Sequence, residues 1–204
     1  MFGTFFVGAL YAQRVLGYRP LTIGFAFLPA PSLMGILSLR YTDRLVSRFG
    51  ARRLCIVGGV MISVALAVLS EAPLRADYWT WLFPAMAVLG LGAGTCFPSL
   101  MSLAMSGAAP QEAGLASGLV NTTGQVGGAL GLAVIASLTS AKTAHLLGEG
   151  RGRLAALTAG YHVGFVIAAL AALGLAVIAA LALAPVRAAV PAAEEADISL
   201  PSSD

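Results

Sequence analysis

The stretch DRLVSRFGARR, residues 43–53, places four arginines and one aspartate between two long apolar runs. The runs 21–39 and 54–70 contain no Asp, Glu, Lys or Arg. A transmembrane helix needs about 20 mostly apolar residues, and each run is close to that length. The stretch therefore predicts a short basic connection between two helices that cross a membrane.

Composition extends this interpretation to the whole chain. Hydrophobic residues make up 58% of the sequence and charged residues only 10%, and the mean hydropathy is +0.88. An ordinary soluble domain has about 25% charged residues. The sequence therefore predicts an all-α membrane protein whose bundle occupies residues 1–184. Six helices are expected, the first of them short, near residues 2–17, 21–41, 54–71, 80–105, 115–139 and 160–184. The Ala-, Pro-, Glu- and Ser-rich residues 185–204 predict a disordered tail.

The distribution of basic residues bears on orientation. Loops rich in Lys and Arg stay on the cytoplasmic side, so residues 43–53 and the C-terminus are expected in the cytoplasm of a cell (inner) membrane protein. The count over the whole chain does not decide the matter, because it divides evenly. This topology puts Arg40, Arg44, Arg48, Arg52, Arg53 and Arg187 inside, and Arg14, Arg19, Arg75, Lys142, Arg151 and Arg153 outside. The dense cluster at 43–53 is given more weight than the scattered charges.

Several classes of function are not indicated. Cys55 and Cys96 both fall within predicted helices, so no disulfide framework, metal site or cofactor is expected. The net charge of +3 comes from residues at helix ends, and we expect no nucleic-acid partner. An intramembrane protease would need Ser117 and His162 within hydrogen-bond reach. They are predicted near opposite sides of the membrane, most of its thickness apart, so no enzyme is expected.

Polar residues within the predicted spans are amides and hydroxyls. No Asp, Glu, Lys or Arg lies in the middle of a span, so a carboxylate that titrates during proton-coupled transport is not expected in this chain. Asn121 and Gln125 are four apart and share a helix face, while Tyr11 and Gln13 lie near the end of the first helix. Unpaired amides in hydrocarbon are costly, so these residues should face protein or water. They either line a substrate cavity or hold helices together.

Glycines spaced four apart predict close helix packing. Small residues at this spacing clear one face of a helix for the backbone of a neighbour. Proline removes a backbone donor and is expected to kink a helix. The glycine pairs are 90/94, 114/118, 124/128, 127/131 and 160/164, and the prolines are Pro29, Pro31, Pro84 and Pro98.

Several motifs in consistent order carry a resemblance to a known family. The series YAQRVLGYRP at 11–20, followed by Gly24 and Leu-Pro at 28–29, resembles the opening of the C-terminal half of drug:proton antiporters, in the fourteen-helix branch of the major facilitator superfamily. RFGARR at 48–53 is similar to that family's cytoplasmic signature loop. GLGAG at 90–94 with Phe-Pro at 97–98, EAGLASG at 112–118 and residues 121–131 are similar to its last conserved stretch. The resemblance covers about residues 1–137.

The resemblance implies multidrug efflux by alternating access, coupled to protons. It implies a substrate cavity near Tyr11, Gln13, Asn121 and Gln125. It also implies that the loop containing Asp43, Arg44, Arg48, Gly50, Arg52 and Arg53 ties helix ends together and acts in gating. Ser47 stands where the family has Asp, and Asp43 where it has Gly, so the family's ion pair is weakened or rebuilt from Asp43. A plain positive-inside anchor is the alternative interpretation of this loop.

Length is the main departure from the family. Its transporters consist of two six-helix bundles with the substrate site between them, and this chain matches only the second. We therefore expect that function in the lipid bilayer requires an N-terminal six-helix half or a second copy. A truncated or orphan membrane fragment without transport of its own is the alternative.

Overall fold

The computed structural model describes residues 2–73, 76–107 and 109–182. The predicted tail, residues 185–204, lies outside the described residues. The described part contains eight α-helices and no strand. They are α1 (Phe2–Arg14), α2 (Pro20–Phe27), α3 (Pro29–Arg40), α4 (Thr42–Phe49), α5 (Ala51–Ser70), α6 (Phe83–Met105), α7 (Ala113–Gly148) and α8 (Arg153–Ala182).

The predicted all-α membrane bundle is confirmed. Five segments of the described chain are long and apolar enough to cross a membrane: Pro20–Arg40, Ala51–Ser70, Tyr78–Met105, Ala113–Gly148 and Arg153–Leu181. Each coincides with one of the six predicted helices. The remaining helix, α1, has 13 residues and is shorter than the usual span. It packs against α7 and α8 within the bundle.

Proline divides one predicted span into α2 and α3. Pro29 has no N–H to donate to the Phe25 carbonyl four residues earlier, and the Leu28 N–H bonds that carbonyl instead at 3.2 Å. Pro84 lies in the first turn of α6, which continues without a gap from a π-helical turn at Tyr78–Leu82. The α6 helix continues through Pro98. Of Pro29, Pro84 and Pro98, only Pro29 therefore interrupts a helix within the described chain.

The predicted basic loop is largely helical, which corrects the interpretation of residues 43–53 as a plain connection. Residues 42–49 form α4, with Asp43 in the first turn and Arg48 in the last, as the helix dipole favours. Gly50 ends this helix with φ +81°, and its N–H bonds the Val46 carbonyl at 2.8 Å. A positive φ suits glycine, because it has no Cβ. The α5 helix begins one residue later.

The connection between the predicted helices 115–139 and 160–184, residues 140–158, is also mostly helical. The α7 helix continues to Gly148, and α8 begins at Arg153. Gly150 has φ +78°, and the Arg151 N–H bonds the Leu146 carbonyl at 3.1 Å, which is a Schellman-type helix end. At about 1.5 Å per residue, the 36 residues of α7 extend about 54 Å, beyond the roughly 30 Å hydrocarbon core.

Close contacts at glycine join α5 to two neighbours. A Cβ atom added at Gly58 would lie 2.5 Å from the Gly92 carbonyl oxygen on α6. One added at Gly59 would lie 3.1 Å from the Ala176 Cβ on α8. Because the two glycines are adjacent in sequence, they point to different sides of α5. This helix therefore forms the centre of the bundle.

Glycines also set the distance between two other pairs of helices. On α6, Gly94 faces the Met34 carbonyl of α3, 3.0 Å from where a Cβ would stand, and Gly90 lies against Ala30. On α8, Gly164 faces the Thr139 hydroxyl of α7 at 2.7 Å. The predicted close packing therefore holds for the 90/94 and 160/164 pairs. It is wrong for the 114/118 and 127/131 pairs on α7 and for Gly124, where an added Cβ would meet nothing within 4 Å.

Aromatic residues mark one end of the bundle. Four tyrosines and both tryptophans belong to segments that meet there: Tyr11, Tyr18, Tyr78, Tyr161, Trp79 and Trp81. The ring centroids of Tyr11 and Tyr161 are 6.3 Å apart. Tyrosine and tryptophan are enriched where a bilayer meets water. We call this the aromatic end, and the opposite one, which carries α4, the α4 end.

A pair of alanine substitutions tests the close packing. Gly90→Ala should lower the free energy of unfolding by about 1–3 kcal/mol, because the added methyl group collides with the α3 backbone at Ala30. Gly118→Ala, where an added Cβ meets nothing, should be neutral or stabilising by up to about 1 kcal/mol. Unfolding in detergent micelles measures both values. Equal effects would contradict the proposed helix contact.

Candidate functional site

A cavity of about 370 Å³ lies between α1, α5, α6, α7 and α8. This volume is within the range of about 300–1,000 Å³ that is typical of small-molecule sites. Its walls come from five helices, so any movement of one helix changes its shape. The lining residues that carry the argument are Thr4, Cys96, Gly124, Gly128, Ile135 and Ala172.

The cavity has apolar walls. None of the residues that line it carries a charge, and its polar side chains are the Thr4 hydroxyl and the Cys96 thiol. Apolar groups bind such a wall by leaving water and by dispersion contacts. An unpaired charge there would lose its hydration without compensation. The cavity therefore suits uncharged aromatic or aliphatic groups.

The space exists because one wall of α7 lacks side chains. Gly124, Gly127, Gly128 and Gly131 line the cavity, and an added Cβ at Gly124, Gly127 or Gly131 would meet nothing within 4 Å. Residues 113–134 of this helix include no buried residue, whereas Ile135 and Thr139 are buried. The second part of α7 is thus fixed against its neighbours, and the first part stands away from them.

Asn121 and Gln125 are exposed on the first part of α7. At about 100° per residue, they share a face with Leu132 and Ile135, which line the cavity. Gly124, which also lines it, lies within one turn of both amides, and Gly128 lies within one turn of Gln125. The two amides therefore continue the cavity face toward the α4 end. Neither lines the cavity itself.

Tyr11 lies away from the cavity. Its side chain is 2% exposed, and its hydroxyl donates to the Pro73 carbonyl at 3.0 Å. The His162 Nε2 atom is 3.0 Å from the neighbouring Ala72 carbonyl oxygen. Together these residues hold the connection that follows α5 against α1 and α8, which is a structural role. Gln13 is exposed and does not line the cavity either. Contact of these residues with substrate stays a prediction.

At the α4 end, one arginine joins two helices. The Arg52 Nε donates to the Ala179 carbonyl at 3.2 Å. The Nη2 of the same guanidinium group donates to the Ala180 carbonyl. The last carbonyls of an α-helix have no partner within the helix, and a cation beside them also suits the helix dipole. Arg52 therefore connects the start of α5 to the last described turns of α8.

The other charged residues of the predicted gating loop have different environments. Arg44, Arg48 and Arg53 are exposed, and the Arg48 guanidinium lies 5.5 Å from the centroid of the Phe49 ring. Within residues 2–73, 76–107 and 109–182, the ion pair present is His145 with Glu149. Asp43 therefore makes no ion pair with the described basic groups, and it acts at the first turn of α4 instead.

The residues considered for proteolysis belong to opposite ends of the molecule. Ser117 lies in the second turn of α7, which begins at the α4 end, and His162 contacts the Ala72 carbonyl at the aromatic end. The two cysteines, by contrast, are neighbours. Cys55 and Cys96 are buried, with their Sγ atoms 3.9 Å apart where α5 meets α6.

Two adjacent arginines provide a matched test of the helix connection. Arg52→Gln should lower the free energy of unfolding by about 1–2 kcal/mol, because hydrogen bonds from a charged donor contribute about that much. Arg53→Gln removes the same charge from an exposed side chain and should change it by less than about 0.5 kcal/mol. Chemical unfolding in micelles measures the difference. Equal losses in the two variants would show that charge alone matters.

Comparison with known proteins identifies the family. Residues 1–132 match the model of the Major Facilitator Superfamily. The puromycin resistance protein pur8 of Streptomyces alboniger is 35% identical over 178 residues, which cover 86% of this chain and 35% of that protein. The cephamycin export protein CmcT of Amycolatopsis lactamdurans is 32% identical over 169 residues, 83% of this chain and 33% of that protein.

A multidrug resistance protein B homolog of Mycobacterium tuberculosis (strain ATCC 25618 / H37Rv) is 28% identical over 146 residues, 71% of this chain and 27% of that protein. The chain thus spans about a third of the length of the relatives that it matches. The family predicted from the motifs is confirmed by these matches. This protein is multi-pass in the membrane and belongs to the major facilitator superfamily.

Proposed function

We propose that residues 1–184 form the C-terminal six-helix half of an exporter of small organic molecules. The observation that carries this proposal is the uncharged cavity of about 370 Å³ in a chain whose relatives are named for puromycin resistance, cephamycin export and multidrug resistance. Export would proceed by alternating access, in which one bundle rocks against another around a central site.

The substrate class follows from the cavity walls. Glycine and alanine side chains leave room for bulky groups, and the apolar surface favours aromatic or aliphatic parts of a molecule. Asn121 and Gln125, which continue this face, would hydrogen-bond the polar parts. Tyr11 and Gln13 would contribute from α1 once the bundle moves. A drug with an apolar core and a polar rim fits this arrangement.

A second bundle is needed to cover the exposed amides. The first part of α7 includes no buried residue, and α2 and α3 bury only Ala26 and Ala30 among their residues. Asn121 and Gln125 would be costly in contact with lipid. An N-terminal six-helix half, or a second copy of this chain, would cover this face and enclose a water-filled path.

We also propose that the α4 end is cytoplasmic. The four arginines at residues 44, 48, 52 and 53 cluster there, as the positive-inside rule favours. The contact of Arg52 with the end of α8 would hold the cytoplasmic side in one state of the cycle. Asp43, Arg44, Arg48, Gly50 and Arg53 would adjust the position of α4 against it.

Proton coupling would depend on the other bundle. The residues that line the cavity include no carboxylate, and no Asp or Glu lies in the middle of a described span. A group that binds and releases a proton within the membrane is usually ionisable. The gradient would therefore act on a carboxylate in the second half, and this chain would respond through the shared cavity.

Dye efflux tests this proposal. Cells that make this chain together with the N-terminal half of a relative should expel a lipophilic dye, and a protonophore should stop them. Gly124→Leu fills the cavity and should lower efflux about tenfold, equal to about 1.4 kcal/mol.

The matched control is Gly174→Leu, where an added Cβ also meets nothing within 4 Å but the residue does not line the cavity. It should leave efflux within about twofold of the unmodified chain. If the two halves assemble in the membrane and efflux stays at background, the proposal is wrong. Equal loss in both variants would remove the cavity from the substrate path.

A further inference from the structure

A second crevice opens at the aromatic end, where the end of α1 meets the start of α8. It has a volume of about 520 Å³ and is lined by Arg14, Arg153, Leu154 and Leu157. Its lining thus combines two cations with two apolar side chains. It is separate from the substrate cavity, with which it shares no lining residue.

Among the described residues, no carboxylate forms an ion pair with the two arginines of this crevice. Both are exposed, and within the described chain neither lies within 4 Å of an Asp or Glu oxygen. Glu149, the acidic residue of the α7–α8 turn, has its Oε1 3.3 Å from the Nδ1 of His145 and makes no contact within 4 Å of a described arginine. Arg151 adds a further positive charge to that turn. The lining of the crevice therefore carries two positive charges, and an anion between them would be attracted by both.

The crevice lies at the level where a bilayer meets water. Tyr11 is about one helical turn before Arg14 on α1, and Tyr161 is about one turn after Leu157 on α8. Both tyrosines are buried in the bundle; Trp79, which belongs to the same end and is 70% exposed, is of a type enriched where a bilayer meets water. Leu154, which is 45% exposed, offers an apolar surface beside the two guanidinium groups. The cations are thus placed at phosphate depth, with an apolar wall toward the acyl chains.

We propose that Arg14 and Arg153 bind the phosphate of an anionic phospholipid, whose glycerol backbone and first acyl carbons lie against Leu154 and Leu157. Guanidinium groups bind phosphate through paired, charge-assisted hydrogen bonds. A zwitterionic lipid would bring its own cation close to the arginines, so an anionic headgroup is preferred. Basic pockets between transmembrane helices bind headgroups in the same way.

Native mass spectrometry of the full chain tests this site. The protein is purified from nanodiscs that contain phosphatidylcholine with phosphatidylglycerol, and the retained lipids are counted. The unmodified chain should retain phosphatidylglycerol in preference to phosphatidylcholine. Arg14→Gln/Arg153→Gln should bind it about tenfold more weakly, because two charge-assisted contacts are lost. Arg151→Gln/Arg19→Gln removes two charges from the same end without touching the crevice and should change binding less than about twofold.

Other outcomes would overturn the proposal. An unmodified chain without preference for phosphatidylglycerol would do so even if the double variant fails to fold. Equal weakening by both pairs of substitutions would point to general surface charge. If inorganic phosphate, at a matched concentration, protects the protein against thermal unfolding as well as phosphatidylglycerol does, the crevice binds a free anion and not a lipid. None of these measurements requires transport activity.

Discussion

The close approach of helix backbones at glycine is the constraint on which the rest of this structure depends. Lipid is as apolar as the helix surfaces, so packing contacts must hold a membrane bundle together. At Gly58 and Gly90 a single methyl group would collide with a neighbouring helix, and at Gly59 it would stand in tight contact with Ala176. These contacts tie α3, α5, α6 and α8 into one body. Because α5 has close contacts on two sides, it fixes where the other helices can stand.

The same residue type has the opposite consequence on α7. An added Cβ at Gly124, Gly127 or Gly131 would meet no neighbour, and these residues line a cavity, whereas the glycines of α5 and α6 form close contacts. The helix is fixed only through its second part, near Thr139 and Thr143. The first part can move against a second bundle while the four-helix body stays intact. The exposed first part of α7 is therefore the surface at which the proposed contact with a second bundle would form.

The sequence predicted the fold well and the site only partly. Apolar runs located the spans, because length and hydropathy dominate in a bilayer. Residues 43–53 were misread as a loop, since charged residues also form an amphipathic helix such as α4. The spacing of glycines predicted close contacts at Gly90 and Gly94 but equally at Gly124 and Gly128, where there is a cavity. The spacing of glycines shows which face of a helix lacks side chains. It does not show whether another helix packs against that face. The bond of Tyr11 to the Pro73 carbonyl spans 62 residues, so no local pattern in the sequence indicates it, and contact of Tyr11 with substrate stays a prediction.

Cysteine labelling of α7 tests the central claim most directly. In a Cys55→Ala/Cys96→Ala background, single cysteines are placed on two faces of this helix, in membranes that also contain an N-terminal half. A water-soluble maleimide should label Asn121→Cys and Gln125→Cys, which continue the cavity face. It should not label Leu119→Cys or Val126→Cys, which lie on the opposite face and contact lipid. Labelling of Leu119→Cys and Val126→Cys in preference to Asn121→Cys and Gln125→Cys would contradict the account.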